Sequence, residues 1–150
     1  MATTKRRIHN KGEYMQEEAN AAEAGIYPGM LVVLGSAGTL TMHATEGGRG
    51  EIAIAAEDAL QGNTVSTVYT NLYPVTYLIP NRGTILNVLI EAGQDIAIGD
   101  ALMSAGNGTF MEDTDLASGE TLSQVMFYAT EVCDLSASGA VNTLCAARCA

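Results

Sequence analysis

Two histidines, His9 and His43, and three cysteines, Cys133, Cys145 and Cys149, are the side chains of this 150-residue chain best able to hold a metal or attack an electrophile. A zinc site needs thiols paired a few residues apart and imidazoles at a matching spacing. No Cys-x-x-Cys pair occurs, and both histidines stand far from the cysteines. An odd number of thiols behind no secretory leader also argues against a disulfide scaffold, so the three read as small buried hydrophobes. Carboxylates are plentiful but poorly spaced for acid–base work. Glu57 and Asp58 are consecutive, and a strand would send them to opposite faces. Glu112, Asp113, Asp115 and Glu120 form an acidic loop with the carboxylate density of a calcium site. It lacks the glycine and terminal glutamate of a calcium-binding loop, and reads as a solvated turn. Phosphate-cradling, dinucleotide, nucleophile-elbow and zincin patterns are absent. This inventory predicts a protein that is not an enzyme and uses no cofactor or metal.

Charge is the more informative feature. Seventeen acids against seven bases give a net −10, which argues against a nucleic-acid binder because phosphate neutralisation needs a basic surface. The charge is unevenly placed. Lys5, Arg6, Arg7 and Lys11 fall in the first eleven residues with no acid among them, whereas the remainder sets Arg49, Arg82 and Arg148 against all seventeen acids, a net of −14. No apolar run is long enough to span a bilayer. The basic start is followed by polar residues rather than a hydrophobic segment, which predicts a soluble protein made in the cytoplasm, without a secretory signal. A basic leader on an acidic body reads as an arm that contacts something beyond its own domain. Ile8, Tyr14 and Met15, interleaved with the charges, are anchors that a purely solvating tail would not need.

The elements that would position these residues follow from periodicity and turn chemistry. The length predicts one domain with an arm. Residues 1–24 form the arm, whose Glu13–Ala24 stretch is rich in helix formers and predicts a short helix or a partly ordered linker. Residues 25–150 form the domain. Ile26-Tyr27-Pro28-Gly29 is a turn signal, followed by an apolar run at 30–34, a turn at Ser36-Ala37-Gly38 and an alternating run at 39–43. Further strand signals cover 51–57, 75–79, 84–90, 109–111, 123–129 and 141–149, residues 93–103 read as a tight bend followed by a strand, and Asn107-Gly108 is the strongest hairpin signal. Residues 58–73 read as a loop holding at most a turn of helix. Eight to ten short strands at regular spacing, with no βαβ alternation, predict an all-β fold, a small antiparallel barrel or sandwich. The 16 glycines suit the sharp bends of a small barrel.

Glu91 to Leu102 is similar to the turn of lipoyl- and biotinyl-carrier domains. Those present a lysine for the prosthetic group, and no lysine follows Lys11, so only the geometric meaning of Gly93 and Gly99-Asp100 survives.

In order along the chain, the polar arm, Gly25-Ile26-Tyr27-Pro28-Gly29-Met30-Leu31-Val32, Ala55-Ala56-Glu57-Asp58-Ala59-Leu60-Gln61-Gly62, Val75 to Gly83, Ala92 to Asp100 and Gly106-Asn107-Gly108-Thr109 resemble the capsid decoration, or cement, proteins of tailed bacteriophages. The resemblance spans residues 25–111. It implies a β-tulip-like barrel on the outer surface of the expanded icosahedral head, as a homotrimer at three-fold or quasi-three-fold positions. There it would clamp neighbouring major capsid protein subunits. On this reading the contact residues are Lys5, Arg6, Arg7, Ile8 and Tyr14 of the arm, with Ile26 and Tyr27 at the barrel entrance; the last two equally suit a plug for the barrel end. Three alternatives stand beside it: another virion component such as a head fibre base or tail-tube accessory protein, a small-ligand-binding barrel, and a hydrolase using His43 with Glu57 or Asp58.

Overall fold

The computed structural model describes residues 5–114 and 123–150, and it is all-β. Among the described residues thirteen short strands succeed one another: β1 (His9–Lys11), β2 (Tyr14–Asn20), β3 (Val32–Leu34), β4 (Leu40–Met42), β5 (Ile54–Ala55), β6 (Pro74–Pro80), β7 (Ile85–Ile90), β8 (Asp95–Ile96), β9 (Ala101–Ser104), β10 (Phe110–Glu112), β11 (Phe127–Ala129), β12 (Cys133–Asp134) and β13 (Thr143–Cys149). A 3-10 turn, Ala59–Gln61, is capped by the Asp58 carboxylate and ends at Gly62.

Five strands close a barrel in the order β7-β10-β9-β11-β13 and back to β7. Its pairings are antiparallel except where Phe110 of β10 meets Ile90 of β7 in parallel. A ring with an odd number of strands cannot alternate direction all the way round, so one parallel contact is required. Leu86, Val88, Ile90, Leu102, Phe110, Met126, Phe127, Cys145 and Ala147 fill the interior. Phe110 and Phe127 meet edge-to-face, 5.4 Å between centroids and 82° between planes, the arrangement ring quadrupoles favour. So narrow a barrel is packed solid by its own side chains, which speaks against a ligand cavity inside it.

A second layer stands beside the barrel. β2, β6 and β5 form one sheet, β3 and β4 a hairpin, and β8 pairs with β12. The strand β6 divides two cores by simple alternation. Val75, Tyr77 and Ile79 face a cluster with Ala21, Ile26, Val32, Leu40 and Tyr69, while Leu78 faces the barrel cluster. The Ile26–Gly29 turn ties the layers together: Gly29 donates its N–H to Ala55 O, and Leu89 of β7 donates to Gly29 O. At Gly29 the backbone has φ +93°, which L side chains rarely adopt, and a Cβ would run into the Leu144 side chain, so the position favours glycine.

The structure departs from the sequence reading at several points, β1 in the arm being one. The Glu13–Ala24 stretch contains no helix; Tyr14–Asn20 is a strand, because seven residues in register with β6 outweigh a modest local helix preference. The Asn107-Gly108 signal does mark a reversal, but the loop runs from Ala105 to Thr109, with Gly106 and Gly108 both at positive φ. The short strand β12 carries no alternating pattern and is held by β8. Asp115 and Glu120 of the expected acidic loop lie outside the described residues.

Candidate partner-binding surface

The basic N-terminal segment does not stand away from the domain. Lys5 Nζ lies 2.7 Å from Glu131 Oε1 and 2.8 Å from Oε2, the sole ion pair among the described residues. Glu131 Oε1 also accepts the Ala146 N–H, so the carboxylate is oriented by β13 before Lys5 arrives. Arg6 and Arg7 are exposed. The Arg7 carbonyl accepts from Asn87 Nδ2 at 2.7 Å. Ile8 is fully buried in the barrel cluster; its N–H donates to Glu57 Oε2 at 3.0 Å and its carbonyl accepts from the Asn87 N–H at 2.7 Å. From Ile8 the chain enters β1, which adds to the edge of β7.

Past β1 the same segment turns outward. The His9 ring packs on Tyr14 with centroids 4.6 Å apart, and Tyr14 opens β2. β2 pairs with β6 over its whole length, from Tyr14↔Pro80 to Asn20↔Pro74. Of the predicted contact residues near the barrel entrance, Ile26 is fully buried and bridges Tyr69, whereas Tyr27 is 41% exposed. Ile8 and Ile26 are therefore core residues in this fold, and neither presents a side chain to a partner.

Of the predicted residues that reach the surface, four line two grooves and Arg6 lines neither. Lys5 and Tyr27 line one of about 700 Å³, with Glu131, Cys133 and Leu144. Arg7 and Tyr14 line another of about 470 Å³, with His9, Glu18, Glu57 and Asp58. Cys133 lines the first groove, and the neighbouring Cys145 thiol, which donates to Glu131 O at 3.8 Å, interacts with it. This contact holds the Cys133 thiol below its ordinary range and, with burial, pushes Cys145 above it. Burial alone raises Cys149. All three cysteines are buried free thiols.

His43, Glu57 and Asp58 each have partners other than one another. His43 is buried with Nδ1 2.7 Å from Ser104 Oγ, and Ser104 is itself fully buried. Glu57 is engaged by Ile8 and Asp58 caps the 3-10 turn. Among the described residues no group of three or more His, Cys, Asp or Glu side chains is placed to hold a metal ion, and no helix is long and apolar enough to cross a membrane.

Sequence reasoning missed the exposed strand β2. The available signal was in its partner: Pro74 and Pro80 are six residues apart and so sit in the same phase of β6. Both fall at positions not hydrogen-bonded to β2, as the Ala21 N–H to Tyr73 O and Asn81 N–H to Glu13 O bonds establish.

No protein-family model matches the sequence, and no curated protein does. Among solved structures the chain is similar to the crystal structure of the head fiber gp8.5 N base in bacteriophage phi29. Sequence identity is 16%, the match covers 92% of this chain and 95% of that one, and the TM-score is 0.57. At that identity the likeness speaks to the fold.

Proposed function

We propose that the chain is a structural protein of a phage virion, carried on the outer surface of the expanded icosahedral head as the base of a head appendage and bound there to the major capsid protein. The observation that carries this reading is the likeness in fold, over nearly the whole of both chains, to the base of a phage head fiber. The turn residues resembling capsid decoration proteins point to the same particle. The basic residues Arg6, Arg7 and Lys11, with Tyr14 and Tyr27, supply the contact; Ile8 and Ile26 act from within by fixing the segment that carries them. The rest of the chain, at −14, faces solvent and keeps particles apart. The working unit is a homotrimer, and catalysis, cofactors, nucleic acid and membranes play no part. A second reading, in which the protein clamps adjacent capsid subunits as cement, rests on the decoration-protein resemblance.

Mixing the protein with purified expanded heads, sedimenting them and imaging the particles tests this. The expected result is co-sedimentation with added density outside the shell, and about tenfold lower occupancy for an Arg6→Glu/Arg7→Glu variant, since reversed rim charges meet like charge on a complementary surface. Protein left in the supernatant, or carried only by tails, would overturn it. Heat resistance of the loaded heads separates the two readings: a clamp raises the temperature at which heads rupture, and an appendage base leaves it unchanged.

A further inference from the structure

In an antiparallel pair, alternate residues of a strand bond to the partner and the others point their N–H and C=O away from it. For β2 the bonding set is the odd residues, as the flanking Ala21 N–H to Tyr73 O bond fixes. Tyr14, Gln16 and Glu18 therefore aim their backbone groups at the opposite edge. No described residue pairs with that edge between Tyr14 and Glu18; only beyond it does Leu40 of β4 close in, accepting the Ala22 N–H. Natural edge strands are blunted by charged side chains, lysine above all, or by proline, bulges or brevity, and of these β2 has only the charges of Glu17 and Glu18. β2 runs seven residues in unbroken register, with no proline or lysine, and Met15 on it is 57% exposed.

We propose that the open edge of β2 is a strand-addition site for an extended, basic segment of another protein, bound backbone to backbone beside Tyr14–Glu18. Charge selects the occupant. Glu17 and Glu18 lie on opposite faces of β2, and the groove along the Glu18 face is lined also by Glu57 and Asp58 against a single arginine, Arg7. An incoming strand with lysine or arginine on both faces meets a carboxylate on each. A second copy of this chain would instead double the glutamates in one two-stranded ribbon and bring two acidic bodies together, which like-charge repulsion opposes. The edge thus admits a basic strand and discourages self-pairing. The inference follows from β2 and the groove beside it and holds whether or not the partner belongs to a capsid.

The test is amide hydrogen exchange on the full chain with a capped synthetic peptide, Thr-Val-Lys-Lys-Val-Thr, at about 1 mM. At ten times its dissociation constant such a ligand slows exchange about tenfold at the amides it covers. The expected result is that slowing at Gln16 and Glu18, its loss when glutamates replace the peptide's lysines, and its loss when the peptide backbone is N-methylated on the pairing side. A Gln16→Pro variant, which removes an outward N–H and leaves the β6 bonds intact, should melt within a few degrees of the parent and no longer respond. Absence of slowing with the basic peptide, equal slowing with the acidic one, or concentration-dependent slowing without any peptide would each overturn the proposal.

Discussion

β1 and β2 belong to one short N-terminal stretch and meet opposite environments. Before β1, Ile8 is sealed in the barrel cluster with both backbone groups satisfied by Glu57 and Asn87, whereas on β2 Met15 is more than half exposed and the backbone edge from Tyr14 to Glu18 meets no partner among the described residues. Charge does not account for the difference, because the basic residues flank the buried Ile8 rather than sit on the exposed β2. Position does. β1 joins β7, a barrel strand already paired with β10 and β13, while β2 joins β6 at the outer limit of the second sheet. A segment that reads as one arm thus serves as a plug at one end and a presented edge at the other.

Breaking the plug should have the largest effect. Ile8→Ala leaves a cavity between the N-terminal segment and the barrel and is expected to cost about 3 kcal/mol in urea denaturation. A cost below about 1 kcal/mol would mean that the segment is not part of the core.

The second sheet is probed through Tyr69, which bridges Ile26 and donates its hydroxyl to Ala56 O at 2.6 Å. Burial, aided by the charges of Asp58 and Glu57, pushes its pKa up to about 12 from 10.0. The native state then holds a proton that the unfolded chain releases. This contribution, on the order of 2 kcal/mol, is fully present below pH 10 and is lost as the pH climbs from there to about 12. Urea midpoints measured across that window should fall, and the fall should be smaller in Tyr69→Phe. An identical decline in both proteins would remove Tyr69 as its cause.

Smaller effects sharpen the comparison. Lys5→Ala removes a partly exposed ion pair and should cost about 0.5 kcal/mol, vanishing at high salt. Met15→Ala should change stability by less than about 0.5 kcal/mol, as surface substitutions do. If Met15→Ala instead proved costly, β2 would be covered in solution.

The architecture was legible where one residue type has few alternatives. Turns at Ser36–Gly38, Gly93 and Gly99-Asp100 announce themselves through glycine, and β6, β7 and β13 through their β-branched and apolar runs. The parallel closure of β10 on β7 was not legible, because it is a single long-range contact. β2 was hidden for a related reason: Tyr-Met-Gln-Glu-Glu-Ala-Asn has neither alternation nor β-branching, and only its register with β6 makes it a strand. Of the candidate contact residues, the sequence distinguished Arg6, Arg7 and Tyr14 as surface groups no better than Ile8 and Ile26 as core, since an apolar residue among charges suits an anchor to a partner and an anchor to its own barrel equally well.

Residue-resolved hydrogen exchange of the free protein tests the contrast between plug and edge most directly. The expected pattern is strong protection at Ile8, at Asn87 and at Met15, Glu17 and Ala19, with Gln16 and Glu18 exchanging near the rate of an unstructured chain. Rapid exchange at Ile8, or equal protection of odd and even residues along β2, would contradict it.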